Sequence, residues 1–476
     1  MRWETVIGIE IHAELLTKSK IFCGCSTEFG SRPNTNTCPV CIGLPGALPV
    51  LNEEVIQLAL KAGLALNCKV NYINKMDRKN YFYPDLPRAY QISQFDLPIL
   101  YDGYVEFEVE DIIKRVNINR IHLEEDAGKL IHLEDEPYTC IDYNRGGVPL
   151  IELVTEPELR SPKEAFEFVK TIKTIFEYVE VSDCKMEQGS LRFDANISVR
   201  ERGQKELNTK VEIKNMNSFK EMQKALEKEE KRQIELYEFG EGDKIVQETR
   251  RWDSAKGRTV SMRGKEEAHD YRYFPEPDLK QIIISENNVI SLKKQIPELP
   301  NEKLERLISQ YRLNKKEMQI VVEDKRLTQL FEETIKKGAR ADKVLNWIIG
   351  DLLKLMKMGD ASKNIPITAT TLAELIKSIE NGDISLKIGR EVFEEMFETK
   401  GNPKEIIAKR GLVQVNNEEE LEKIVGKVIE NNPKSVADYN AGRKQAITFL
   451  MGQVMKETKG QANPKTAMNL LKIRLP

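Results

Sequence analysis

The chain has 476 residues, 40% hydrophobic and 31% charged, with a net charge of -3; this is the balance of a globular protein long enough for two or three domains. No apolar run approaches the roughly 20 residues of a membrane-spanning helix. Glu4, Glu10, His12 and Glu14 interrupt the N-terminus where a signal peptide needs an apolar core, so the expectation is a cytoplasmic protein with no targeting segment and no membrane partner.

The first element, "VIGIEIHAE", alternates. Ile7, Ile9 and Ile11 point one way, and Glu10, His12 and Glu14 the other, as in a strand with one buried and one wet face. Directly after it come Cys23, Cys25, Cys38 and Cys41, spaced C-x-C-x12-C-x2-C. In a reducing compartment this spacing reads as two knuckles gripping one Zn2+ rather than as disulfides. No thioredoxin-like pattern surrounds the CxxC, which argues against a redox role. Four thiolates close the coordination shell, so the zinc is expected to be structural. Cys68, Cys140 and Cys184 are scattered.

Further alternating segments follow. "NINRIHLEEDAGK" sets Ile121, Leu123 and Glu125 against Arg120, His122 and Glu124. "SLRFDANISVR" sets Leu191, Phe193, Ala195, Ile197 and Val199 against Arg192, Asp194, Asn196, Ser198 and Arg200. "TKVEIKNMN" sets Val211 and Ile213 against Lys210, Glu212 and Lys214. Together they predict an antiparallel sheet whose wet face carries carboxylates, His, Arg and Asn. Glu10 and His12 converge on that face, and Glu125 and Glu152 are candidates to join them. Oxygen ligands with one imidazole suit Mg2+ or Mn2+ and would hold a nucleoside triphosphate. Two helices are predicted between these strands. One opens at Ser161, with Pro162 at the first helical position and Glu164 completing a capping box; the other opens at Ser218, with Glu221 three positions on.

"QIPELPNEK" marks a boundary near residues 295–301, after which the pattern is helical, with a second break at "KGNPKE". The last 46 residues carry a charge of +6, leaving -9 for the rest, so a basic tail on an acidic body points to an anionic partner. The chain lacks G-x-x-x-x-G-K-[ST], G-x-G-x-x-G and G-x-S-x-G. Any ATP is therefore held without a Walker loop or Rossmann turn, and nothing recommends a nucleophilic amidase on this chain.

The segments "ETVIGIEIHAEL", "RKNYFYPDLPRAYQISQFD", "HLEEDAGK", "DYNRGGVPLIELVTEP", "KMEQGSLRFDANISVR", "EIKNMNSF", "ETRRWDS" and "DYRYFPEPDL", with "YNAGRKQAITFLMGQVMKETKGQANP" in the tail, resemble the B-subunit family of the bacterial tRNA-dependent amidotransferase GatCAB. The resemblance implies an α+β chain in three parts. Residues 1–294 would form an antiparallel-sheet cradle of glutamine synthetase/guanido kinase type, with the zinc knuckle at 23–41. Residues 295–405 would form an all-α helical domain, and residues 406–476 a YqeY-like helical tail that binds tRNA.

It further implies ATP- and Mg2+-dependent phosphorylation of the side-chain carboxylate of Glu-tRNA(Gln) or Asp-tRNA(Asn). Amide formation would follow, with ammonia from a separate amidase subunit, in a heterotrimer tied by a third, small subunit. By motif, Glu10, His12, Glu125 and Glu152 become the Mg2+ ligands. Glu125 and Lys79 are the catalytic candidates, Glu125 guiding or deprotonating ammonium. Arg192, Asp194, Asn196 and Lys214 are expected at the ATP or acceptor end. Arg443, Lys444, Lys456, Lys459 and Asn463 are expected on the tRNA backbone. Phe193 and Arg88 depart from the residues common in relatives, Cys and Lys, without removing a ligand. Two alternatives stand beside this reading: a zinc-knuckle RNA-binding protein without catalysis, and a metal-dependent nuclease or phosphatase.

Overall fold

The computed structural model describes residues 2–133, 136–264, 270–358, 365–411, 418–458, 462 and 464–475. The chain divides into two compact units, Met1–Leu299 and Pro300–Pro476.

A nine-stranded sheet organises the first unit. Its strands in chain order are β1 (Trp3–Glu14), β2 (Lys69–Val70), β3 (Leu100–Val109), β4 (Ile112–Glu125), β5 (Pro149–Thr155), β6 (Leu191–Glu201), β7 (Val211–Lys214), β8 (Glu248–Asp253) and β9 (Arg258–Gly264). Across the sheet they run β9-β8-β7-β6-β1-β5-β4-β3-β2. The first strand therefore lies inside the sheet, flanked by antiparallel β5 and β6. The expected antiparallel pattern holds except between β7 and β8, which are parallel. There the chain crosses back through a helix, as parallel neighbours require.

The alternation predicted from sequence sorts the two faces. Ile7, Ile9, Ile11, Leu123, Ile151, Leu153, Phe193, Ala195, Ile197, Val211 and Ile213 are all buried in one core. Each Val, Leu, Ile or Phe side chain among them contributes on the order of 1.5–3 kcal/mol through burial. Besides α1 (Glu53–Ala65), this unit holds α2 (Pro162–Tyr178) and α3 (Phe219–Glu238), both of which pack on the sheet. Phe168 of α2 meets Phe107 edge-on at 5.6 Å, and Phe219 of α3 stacks on Phe193 at 5.8 Å.

Both helices begin where their serines predict. Ser161 accepts from the Glu164 amide and Ser218 from the Glu221 amide. The reciprocal carboxylates, however, reach one residue further back, to the amides of Arg160 and Asn217. Each thus satisfies a backbone donor just outside its helix rather than closing the expected box.

A small three-stranded sheet joins Asp77–Asn80, Tyr90–Ser93 and Phe274–Pro275. It unites "NYFYPDLPRAYQ" with "DYRYFPEPDL", far apart in sequence, through the Tyr271 carbonyl on the Asn80 amide and an edge contact between Tyr81 and Tyr271.

After α4 (Glu286–Gln295) the second unit is helical: α5 (Pro300–Tyr311), α6 (Lys315–Val322), α7 (Lys325–Lys336), α8 (Ala341–Asn346), a π-helical segment Trp347–Leu352, α9 (Leu353–Met358), α10 (Ala369–Glu380), α11 (Leu386–Thr399) and α12 (Pro403–Lys409), then α13 (Glu418–Asn431), α14 (Pro433–Asn440), α15 (Ala446–Glu457) and α16 (Pro464–Arg474). Helices α13, α15 and α16 build a core of their own from Leu421, Val425, Leu450, Val454 and Leu471. No helix among the described residues is long and apolar enough to cross a membrane.

Candidate active site

Strand register assembles the site. Glu152 of β5 lies opposite both His122 of β4 and His12 of β1, and His12 lies opposite Arg192 of β6. One row therefore crosses four strands on the wet face. In the next row Glu10 lies opposite Val154 and Asp194. These rows border a cavity of about 420 Å3 lined by His12, Lys79, Glu124, Glu152, Arg192 and Lys214, among others.

Two acidic groups result. In the first, His12 Nε2 stands 3.2 Å from Glu152 and 3.4 Å from Glu124. In the second, Glu10, Asp194 and Glu212 bring one carboxylate oxygen each within 4.8 Å of the others, as do His12, Glu124 and Glu152 with their ligand atoms. Lys214 pairs with Asp194 at 2.6 Å and Glu212 at 3.3 Å, and Asn196 donates to Glu10 at 3.0 Å. The electrostatics follow from crowding of like charge. Burial and then the charges of Glu152, Asp194 and Glu212 hold the Glu10 carboxyl above its usual value. Burial works to lower His12, but its hydrogen bond to Glu152 and the charge of Glu124 push it up to about 9. Burial likewise opposes ionisation of Glu152, yet His122, His12 and Lys79 hold it well below the carboxylate range. Carboxylates packed in this way suit a hard divalent cation, which would relieve their repulsion.

The expected set is partly rearranged. Glu10, His12 and Glu152 share the wet face. Glu125 does not reach them. Its side chain turns to the opposite face of β4, pairs with Arg88, and accepts from the Ile92 amide at 2.9 Å. The carboxylate beside His12 is Glu124, one residue earlier, because adjacent residues of a strand point to opposite faces. His122 is a second member that the motifs do not single out. It is buried, 3.5 Å from Glu152 and 3.7 Å from Glu124. Strand parity alone, which groups Arg120, His122 and Glu124, carries the signal for both.

Lys79 sits on the small sheet, its ammonium over the rings of Tyr271 at 5.1 Å and Tyr81 at 5.8 Å. Arg192 donates to Asp126 at 2.8 Å. In the tail, Arg443 pairs with Asp438 at 3.1 Å on an exposed surface, and Lys444 and Lys456 are exposed. Lys459 and Asn463 lie outside the described residues.

The four cysteines converge. All their sulfurs lie within 4.8 Å of one another, and Cys38 and Cys41 are 3.9 Å apart. Four sulfurs about 2.3 Å from one tetrahedral ion would stand about 3.8 Å apart, so the donor set fits zinc. The hydrogen bond with Cys23 holds the Cys41 thiol low against burial, helped by the Cys38 amide, while the same hydrogen bond and burial push the Cys23 thiol up.

A family model described as GatB/GatE catalytic domain matches residues 5–290, and one described as GatB domain matches residues 329–475. The chain is 59% identical to the second B subunit of aspartyl/glutamyl-tRNA(Asn/Gln) amidotransferase from Clostridium acetobutylicum, over 99% of each chain. It is 58% identical to the B subunit from Clostridium beijerinckii, over 100% of this chain and 99% of that one, and 54% identical to the B subunit from Thermoanaerobacter sp., over the whole of both. Family-model matches over most of the chain and relatives 54–59% identical over its length show that the chain belongs to the GatB family.

Proposed function

We propose that this chain is the tRNA-dependent transamidase subunit of its family. It phosphorylates the side-chain carboxylate of Glu-tRNA(Gln), Asp-tRNA(Asn) or both with ATP. Ammonia then displaces phosphate from the acyl phosphate and leaves the amide. The observation that carries this reading is the pair of acidic groups on one sheet face, His12 with Glu124 and Glu152 and Glu10 with Asp194 and Glu212. A carboxylate and a triphosphate repel each other, and bound Mg2+ supplies the positive charge that lets them meet. Lys79, Arg192 and Lys214 border the same cavity and are suited to the phosphates. Glu125, committed to Arg88, fits a supporting role better than that of a metal ligand.

The sheet unit acts as a cradle of glutamine synthetase/guanido kinase type, with a structural zinc at the cysteines. The ammonia comes from a separate amidase subunit in a cytoplasmic heterotrimer, which a third, small subunit completes. The basic tail from 406 onward binds tRNA through exposed cations such as Arg443, Lys444 and Lys456. A non-catalytic RNA binder has no use for this arrangement, and a metal-dependent nuclease or phosphatase, which could use it, finds no support in the family match.

One assay tests the reading. The chain co-expressed with its partner subunits should convert Glu-tRNA(Gln) to Gln-tRNA(Gln), or Asp-tRNA(Asn) to Asn-tRNA(Asn), only with ATP, Mg2+ and an ammonia source. A chain ending at residue 405 should do so with weakened tRNA affinity at moderate salt. Amide formation without ATP, or none with either substrate, would sink the proposal.

A further inference from the structure

Lys20 is among the largest side chains in the protein with no exposure at all. A lysine is almost never so deeply buried without a charged or polar partner. Among the described residues no carboxylate forms an ion pair with it. Its ammonium instead meets the Cys41 sulfur at 3.7 Å and donates to the Tyr143 carbonyl at 3.1 Å. Its backbone amide donates to the Cys25 carbonyl at 2.9 Å. Lys20 therefore touches both cysteine knuckles, one through its backbone and the other through its side chain.

Gly147 lies against the Lys20 side chain at ordinary van der Waals range. Gly147 holds φ at +85°, and a Cβ there would come within 3.4 Å of the Lys20 stem and 3.7 Å of the Cys41 Cβ. The next amide, Ile21, donates to the Gly147 carbonyl at 2.9 Å. The loop thus anchored continues to the catalytic cavity. Gly147 donates to the Asp126 carbonyl at 2.9 Å, and the Asp126 carboxylate accepts from Arg192 at 2.8 Å.

We infer that Lys20 is a built-in counter-cation of the four-cysteine site, which offsets the thiolate charge from outside the coordination shell and ties both knuckles to the 143–147 loop. A tetrathiolate zinc centre carries two net negative charges, which are costly to bury unless balanced. Cationic and hydrogen-bonding groups just outside the ligands tune such a centre. The inference rests on the reading of the cysteines as a zinc site.

The test is metal binding by the full-length chain. Zn2+ affinity is measured by chelator competition, and the Co2+-loaded form reports on the sulfurs by its thiolate-to-metal absorption. Wild type should bind one Zn2+ and give a four-thiolate Co2+ spectrum; if it binds none while folded, the zinc reading fails before Lys20 is at issue. K20M should weaken Zn2+ about 10–100-fold, the range for groups just outside a coordination shell, and shift the Co2+ band, while K20R should recover most of the affinity. If K20M yields no soluble chain, K20Q against K20R gives the same comparison. Unchanged affinity and spectrum in the neutral variant, or a K20R as weak as that variant, would overturn the inference.

Discussion

Glu125 and Arg88 form an ion pair almost wholly removed from water, their side chains 6% and 11% exposed. Burial pushes the Glu125 carboxyl up, and Arg88 with the Ile92 amide works against that push. A charge left alone in such a place is costly, so R88M should destabilise the chain by about 3–5 kcal/mol. The double variant R88M/E125Q should recover much of that loss. Urea denaturation of the wild type and the two variants checks this; a loss under about 1 kcal/mol for R88M would show the pair to be dispensable. The adjacent pair Glu124 and Glu125 marks how far the site is legible from sequence. Family motifs lead to "HLEE", but a one-residue step decides which glutamate faces the metal side and which faces Arg88. Alternation in β4 already separated Glu124 from Glu125, whereas the partners His12 and Arg88 that distinguish them come from other segments of the chain.

At the scale of elements, helix starts are written locally and the rest depends on neighbours. The serines at 161 and 218 were legible because a cap needs only its own turn. The parallel β7–β8 pairing was not, since strand neighbours are chosen by tertiary packing. Nor was the π-helical turn at Trp347–Leu352. "ADKVLNWIIGDLLKLM" is apolar on so many sides that one extra residue in a turn leaves its periodicity undisturbed.

Asp324 offers a test of a cap in the second unit. It accepts from the Arg326 amide at 2.9 Å at the start of α7 and pairs with the Arg326 guanidinium. D324A should cost about 1 kcal/mol, and D324N, which keeps a capping oxygen, less. Burial opposes the charge of Asp324, but Arg326 wins and holds its pKa below the usual value. Its charge therefore stabilises fully above the unfolded value of about 3.9 and is lost as pH falls through the lower folded value. The stability gap between wild type and D324N should close over that acid window. A gap that widened there would contradict the assignment.

For the whole molecule, charge and chemistry are divided along the chain. The acidic sheet unit holds the two carboxylate groups, and the basic excess collects in the last 46 residues. That division was legible from charge counts and from the change to helical periodicity near residue 300, because both are sums over many residues and survive local misreading. The central claim is that the wet face of the sheet binds divalent cations through His12, Glu124 and Glu152. Titration of Mn2+ into the full-length chain and its E124Q variant, followed by the electron paramagnetic resonance of the free ion, tests it most directly. Wild type should bind, and E124Q, at an equal melting temperature, should lose more than about 100-fold in affinity, beyond the range of outer-shell substitutions. Equal Mn2+ binding by the two proteins would contradict the account.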